Sequence, residues 1–143
     1  TLFVHKIAAA LAEAGADLDT VTAAAQAVIK GAISIGMSLD TCTVPGSPKE
    51  DRIPAGHAEL GLGIHGEAGI EQVGFTGARS AMQMVAEKLL PHTGTGDHVA
   101  LLNNLGSTTP LEMSVLAEEL ARSSLGSRVK WMIGPAPLIR SDR

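Results

Sequence analysis

The sequence predicts an α/β fold, a small sheet packed with helices, and three observations point there. Helical stripes come first, and strand, helix, strand, helix, strand then follow in order, the pattern of an α/β layer. The chain of 143 residues is 45% hydrophobic and 18% charged, the balance of a globular domain rather than a disordered one. It holds two Phe, one Trp and no Tyr, so the core is built from Ala, Leu, Val, Ile and Met, which suits helices on a sheet.

Leu2-Phe3-Val4 reads as a strand already under way, and the chain opens at Thr1 without a methionine, as a piece of something longer would. Residues 4–14 read as a helix with Ile7 and Leu11 on one face and Gly15 as its stop. Asp17 is an N-cap for a longer helix. Val21, Ala25, Val28, Ala32, Ile35 and Leu39 form its apolar stripe, with Gly31 and Gly36 as weak points inside it. Residues 41–54, with Pro45 and Pro48, form a loop.

An alternating strand is expected over residues 58–65. Residues 76–90 read as a helix with Met82, Val85 and Leu89 facing in, closed by Pro91. Residues 99–102 form a strand whose continuous apolar run implies burial on both faces. Asn103-Asn104-Leu105-Gly106 turns the chain. Thr109-Pro110-Leu111-Glu112 is then a capping box, opening a helix with Leu111, Val115, Leu116 and Leu120 inward that ends near Gly126. Residues 129–133 form a third strand, stopped by Gly134-Pro135.

Composition excludes several functions. A net charge of −4 without a basic run argues against nucleic acid. No apolar stretch reaches about 18 residues, the length a spanning helix needs, and no signal peptide is evident. The single cysteine, Cys42, permits no internal disulfide, makes a cysteine zinc site implausible and reads as a buried, inert thiol. It fits a reducing compartment.

The most informative stretch is Leu60-Gly61-Leu62-Gly63-Ile64-His65-Gly66-Glu67-Ala68-Gly69. In a strand, Leu60, Leu62 and Ile64 share one face while Glu59, Gly61, Gly63 and His65 share the other. Alternate glycines clear that second face up to His65, which leaves room for a small molecule beside a nucleophile or ligand. Neutral imidazole attacks carbonyl carbon or phosphorus and works as a general acid or base near neutral pH. A histidine at a strand end is also a common hydrogen-bonded structural residue, and the residues alone do not choose. Glu67 either orients His65 or binds a polar group, or is a solvated loop residue.

Metal binding is disfavoured. His57 lies eight residues from His65, roughly 26 Å along a strand at ~3.3 Å per residue. His5, His92 and His98 show no ligand spacing. The glycines at 61, 63 and 66 fit a dinucleotide-binding pattern only superficially, because the first two fall in a strand rather than in a turn opening a helix. Asn103 and Asn104 sit where α/β ligands bind, though turn-forming asparagines are the commoner explanation.

The segment from Gly61 to Gly69 resembles the histidine segment of the dihydroxyacetone kinase family, in its substrate-binding subunit or domain. Four other blocks resemble the same family in the same order: Val4-His5-Lys6-Ile7-Ala8; Gly36-Met37-Ser38-Leu39 with Cys42-Thr43-Val44-Pro45; Asn103-Asn104-Leu105-Gly106; and Trp131-Met132-Ile133-Gly134-Pro135. The resemblance implies that His65 adds to the carbonyl carbon of dihydroxyacetone as a covalent hemiaminal, with Gly63, Gly66 and Glu67 around the substrate. It implies no cofactor on this chain. The phosphoryl donor is ATP with magnesium on a separate domain or subunit, or a nucleotide rephosphorylated by a phosphotransferase system.

By the same resemblance the intact protein is a cytoplasmic homodimer, and residues 1–143 are one subdomain. That subdomain is the second half of the family's substrate domain, and so a fragment of a longer one. The first half, which supplies an acidic residue and a further histidine, has no counterpart here. The fragment alone is expected to lack kinase activity. The alternative is a non-catalytic truncated paralogue acting as a ketone-binding or assembly module.

Overall fold

A computed structural model describes residues 1–41, 46, 48, 51–61, 69–106 and 108–138. The chain divides into two compact units, Thr1–Ser34 and Ile35–Arg143.

The first unit is a helical hairpin in which α1 (Leu2–Glu13) packs on α2 (Leu18–Gly31). The opening residues are helical rather than extended: His5 N–H already donates to the Thr1 carbonyl. The alanine-rich run that follows propagates that turn, which outweighs the β-propensity of three residues. Asp17 caps α2 as expected, accepting from the Thr20 amide at 2.8 Å. The helix stops at Gly31, and Ala32 is extended, so the stripe expected to run on through Ile35 to Leu39 is cut short. Glycine weakens the helix there by about 1 kcal/mol relative to alanine, and the following chain is used in a sheet.

In the second unit, β1 (Met37–Ser38), β2 (His57–Leu60) and β3 (Glu71–Gly74) form an antiparallel sheet in that order. Met37 pairs with Leu60, and Glu59 lies between Ser38 and Gln72. Neither β1 nor β3 is foreshadowed by alternation, since each is short and β3 is mostly polar. β4 (His98–Asn103) and β5 (Val129–Ala136) form a separate parallel pair, joined through α4 (Pro110–Arg122). β5 thus runs through Gly134-Pro135 rather than stopping before it. α3 (Ala78–Leu89) ends in a 3₁₀ turn, Leu90–His92, at the expected proline, and a second such turn, Gly126–Arg128, precedes β5.

The core gathers Ala81, Met82 and Ala86 of α3 with Leu120 of α4 and Leu125, and Val85, Leu89, Ala100, Leu116 and Met132 pack around them. The α4 capping box is complete: the Thr109 side chain accepts from the Glu112 amide and the Glu112 carboxylate accepts from the Thr109 amide. The inward face of α4, however, is Met113, Leu116 and Leu120, whereas Leu111 is 76% exposed and Val115 is exposed too. Nor is β4 buried on both faces. Ala100 and its partner Met132 face the core, while Val99, Trp131 and Ile133 are exposed on the other side.

Candidate functional site

His65, Gly63, Gly66 and Glu67 lie outside the described residues, as does Cys42. The described residues nearest to His65 in the chain are those of β2, Gly61 and the start of β3. β2 delivers the chain to Leu60. Gly61 then takes φ +76°, a left-handed conformation that glycine adopts without a Cβ penalty, and donates its N–H to the Gly36 carbonyl at 2.8 Å. Among the described residues the strand predicted over residues 58–65 therefore runs to Leu60, and residues 62–65 of that span lie outside them. On the return, Ile70 N–H donates to the Leu60 carbonyl at 2.8 Å and β3 begins. The two described approaches to residues 62–68 are thus both pinned by backbone bonds, at Gly61 and at Ile70, where β2 and β3 pair antiparallel.

The hairpin base is tight. Ala58, Glu59 and Leu60 are all buried, so β2 is covered on both faces. The face expected to be cleared by glycines carries Glu59, 3% exposed, paired with the Arg52 guanidinium at 2.7 Å. A carboxylate out of water requires such a partner. Removing one member of a buried ion pair costs about 3–5 kcal/mol. Arg52, partly open to solvent, keeps this pair toward the lower end.

Gly69 completes the packing. A Cβ there would overlap the Glu59 Cγ and stand 2.5 Å from the Leu60 carbonyl oxygen. Gln72, the register partner of Glu59, donates its side-chain amide to the Arg52 carbonyl at 3.0 Å. Lys88 of α3 pairs with Glu71, tying β3 to the helix.

Arg52, Glu59 and Gly69 were not singled out as partners by sequence reasoning. The available signal was the charge inside Ala58-Glu59-Leu60: a glutamate within a buried strand demands a cation, and Arg52 precedes it in the adjoining loop.

The other polar candidates lie elsewhere in the fold. Asn104 donates to the Thr108 carbonyl at 2.7 Å and accepts from Gly106 N–H at 3.0 Å, closing the turn after β4. Asn103 Oδ1 accepts from Leu138 N–H at 2.9 Å beyond β5. His57 is exposed, its Nδ1 3.2 Å from the Ala55 carbonyl. His98 keeps a buried Nδ1 without a partner among the described residues. Among those residues no three His, Cys, Asp or Glu side chains could hold a metal ion, and no helix is long and apolar enough to cross a membrane.

Comparison with known proteins places this geometry. Residues 1–132 match the Dak1 domain model. The chain is 40% identical to the dihydroxyacetone kinase of Citrobacter freundii over 97% of its own length and 26% of that protein. It is 35% identical to human triokinase/FMN cyclase over 91% of its length and 24% of the relative. It thus spans about a quarter of the length of these curated relatives. It is also 34% identical to the dihydroxyacetone-binding subunit of a phosphotransferase-dependent kinase of Listeria innocua, covering 84% of this chain and 38% of the relative.

Among solved structures, the C. freundii dihydroxyacetone kinase in complex with AMP-PNP and Mg²⁺ superposes with a TM-score of 0.91 at 39% identity. That match covers 98% of this chain and 26% of the kinase. A dihydroxyacetone kinase operon co-activator shares the fold, with a TM-score of 0.75 at 24% identity over 92% of this chain and 42% of its own.

Proposed function

The chain belongs to the Dak1 domain family, and we propose that it is the part of a dihydroxyacetone kinase substrate-binding domain that captures the ketose covalently through His65. The observation that carries this is the family match over residues 1–132, which includes the glycine-histidine-glycine segment and the paired strands on either side of it. The unprotonated ring nitrogen of His65 attacks the carbonyl carbon of a small ketose such as dihydroxyacetone. A C–N bond forms, the C=O π pair moves to oxygen, that oxygen takes up a proton, and the other ring nitrogen gives one up. Glycerol, with no carbonyl, is rejected. Gly63 and Gly66 leave room for the substrate beside the ring, and Glu67 meets its hydroxyl groups.

The phosphoryl group reaches the terminal hydroxyl of the held ketose. Its donor is ATP with magnesium on a partner domain or subunit, or a nucleotide rephosphorylated by a phosphotransferase system. Dihydroxyacetone kinase relatives, one solved with AMP-PNP and Mg²⁺, support that division. The chain works as part of a longer substrate-binding domain, homodimeric and cytoplasmic. The exposed outer face of β4 and β5, carrying Val99, Trp131 and Ile133, supports the first of these, a longer domain, because parallel sheets are ordinarily covered on both sides.

The test is a ¹³C spectrum of carbonyl-labelled dihydroxyacetone mixed with the full gene product. Conversion of the carbonyl signal to that of a tetrahedral carbon, absent in His65→Ala, is expected; an unchanged carbonyl signal overturns the reading.

The fold is also that of an operon co-activator, so fold alone does not separate a kinase part from a non-catalytic ketone-binding or assembly module. Capture of the ketone with phosphoryl transfer to it identifies the kinase part, and capture without transfer in the presence of nucleotide-binding partner domains identifies the module.

A further inference from the structure

We propose that Arg52 and Glu59 are positioning residues, a charged clamp that fixes the paired strands β2 and β3 on either side of residues 61–69. As a statement about catalysis, this rests on the role of His65 given above. As a statement about the hairpin, it stands on the described residues alone.

Glu59 sits one residue before the strand ends and faces away from Ala58 and Leu60. An apolar side chain would fill a 3%-exposed position without the desolvation penalty of a carboxylate. A carboxylate held by a guanidinium at 2.7 Å is directional where an apolar contact is not. The returning limb rests on that carboxylate's own stem, since position 69 tolerates no side chain above the Glu59 Cγ. Arg52 in turn is fastened to β3 through Gln72, the residue paired with Glu59 across the sheet. Arg52, Glu59 and Gln72 therefore close a circuit that spans both limbs of the hairpin. A group in the segment between these two limbs depends on where they are held, and misplacement of a reacting group by about 1 Å costs on the order of a hundredfold in rate.

The experiment compares Glu59→Gln, Arg52→Gln, the double variant and Leu120→Ala in the full gene product. Leu120→Ala removes packing from a core cluster in which Arg52, Glu59 and Gln72 take no part and serves as the control for lost stability. Two readouts are taken: the dihydroxyacetone concentration needed for half-maximal capture by mass, and amide hydrogen exchange peptide by peptide. The two single variants should weaken capture about tenfold or more, and the double variant no further, because both act through one contact. Leu120→Ala should leave capture unchanged. Unchanged capture in the clamp variants, or an equal loss in Leu120→Ala, overturns the proposal.

Should the wild type capture no ketone, the reading of His65 falls and hydrogen exchange still decides the clamp. Faster exchange confined to Gly61 and Ile70 in Glu59→Gln upholds it; no change, or acceleration shared equally by β4, overturns it.

Discussion

Gly69 lies against Glu59 so closely that a side-chain carbon at position 69 would overlap the Glu59 Cγ while pressing on the Leu60 carbonyl oxygen. Backbone and a charged side chain share one space at the point where the hairpin returns. Gly69→Ala should destabilise the protein by about 1–3 kcal/mol, the range for overpacking, read as a lower midpoint in urea. Unchanged stability would mean that the base is looser than described.

Gly61 serves the other limb. Its φ of +76° is a conformation other residues occupy at a cost of about 1–2 kcal/mol. A Cβ would also stand 3.1 Å from the Ile70 side chain. Gly61→Ala should lower the urea midpoint by a comparable amount, and Gly74→Ala, where a Cβ meets nothing within 4 Å, should not.

The face that α4 turns inward is tested by truncation. Leu120→Ala should cost about 2–5 kcal/mol, as buried leucines do. Leu111→Ala, at an exposed position, should stay within about 0.5 kcal/mol. Chemical denaturation of the two variants checks this, and a loss in Leu111→Ala as large as that in Leu120→Ala would restore the face read from sequence.

Two helix caps set an acid dependence. The Thr20 hydroxyl and then its backbone amide hold Asp17 below the ordinary 3.8. The Thr109 amide and then its hydroxyl hold Glu112 below the ordinary 4.5. A carboxylate whose folded value is lowered stabilises the fold fully above its unfolded value and loses that contribution as pH falls through the folded one. The difference in urea midpoint between wild type and Glu112→Gln should therefore be steady above about pH 5 and shrink on acidification below 4.5. A difference that grows toward acid would contradict the cap.

How much of this was legible follows from where the information sits. The Asp17 cap, the Thr109–Glu112 box and the Pro91 stop were readable because they depend on neighbours in sequence. The end of β2 was not. Leu60, Leu62 and Ile64 keep perfect alternation, yet the left-handed turn at Gly61 and the pairing of Leu60 with Met37 and Glu71 are set by the rest of the sheet. α4 carries apolar residues on more than one side, so burial in the folded chain, not the periodicity, selects Met113 over Leu111. Arg52 and Glu59 meet across seven residues, and only the cost of burying Glu59 announces that they must. The candidate segment from Gly61 to Gly69 is read from its resemblance to a family, whereas the Arg52–Glu59 pair at its edge is visible only in the fold.

The isolated 143-residue chain should show no kinase turnover with ATP, magnesium and dihydroxyacetone, because phosphoryl transfer needs a positioned donor and charge-neutralising groups. A coupled assay for ADP checks this, and sustained turnover abolished by His65→Ala would contradict it.

Covalent capture by His65 is the central claim, and mass tests it most directly. A native mass spectrum of the full gene product, with and without dihydroxyacetone, should show one ketone gained per subunit, and the His65→Ala variant should gain none. Equal uptake by the variant, or none by the folded wild type, would contradict the account.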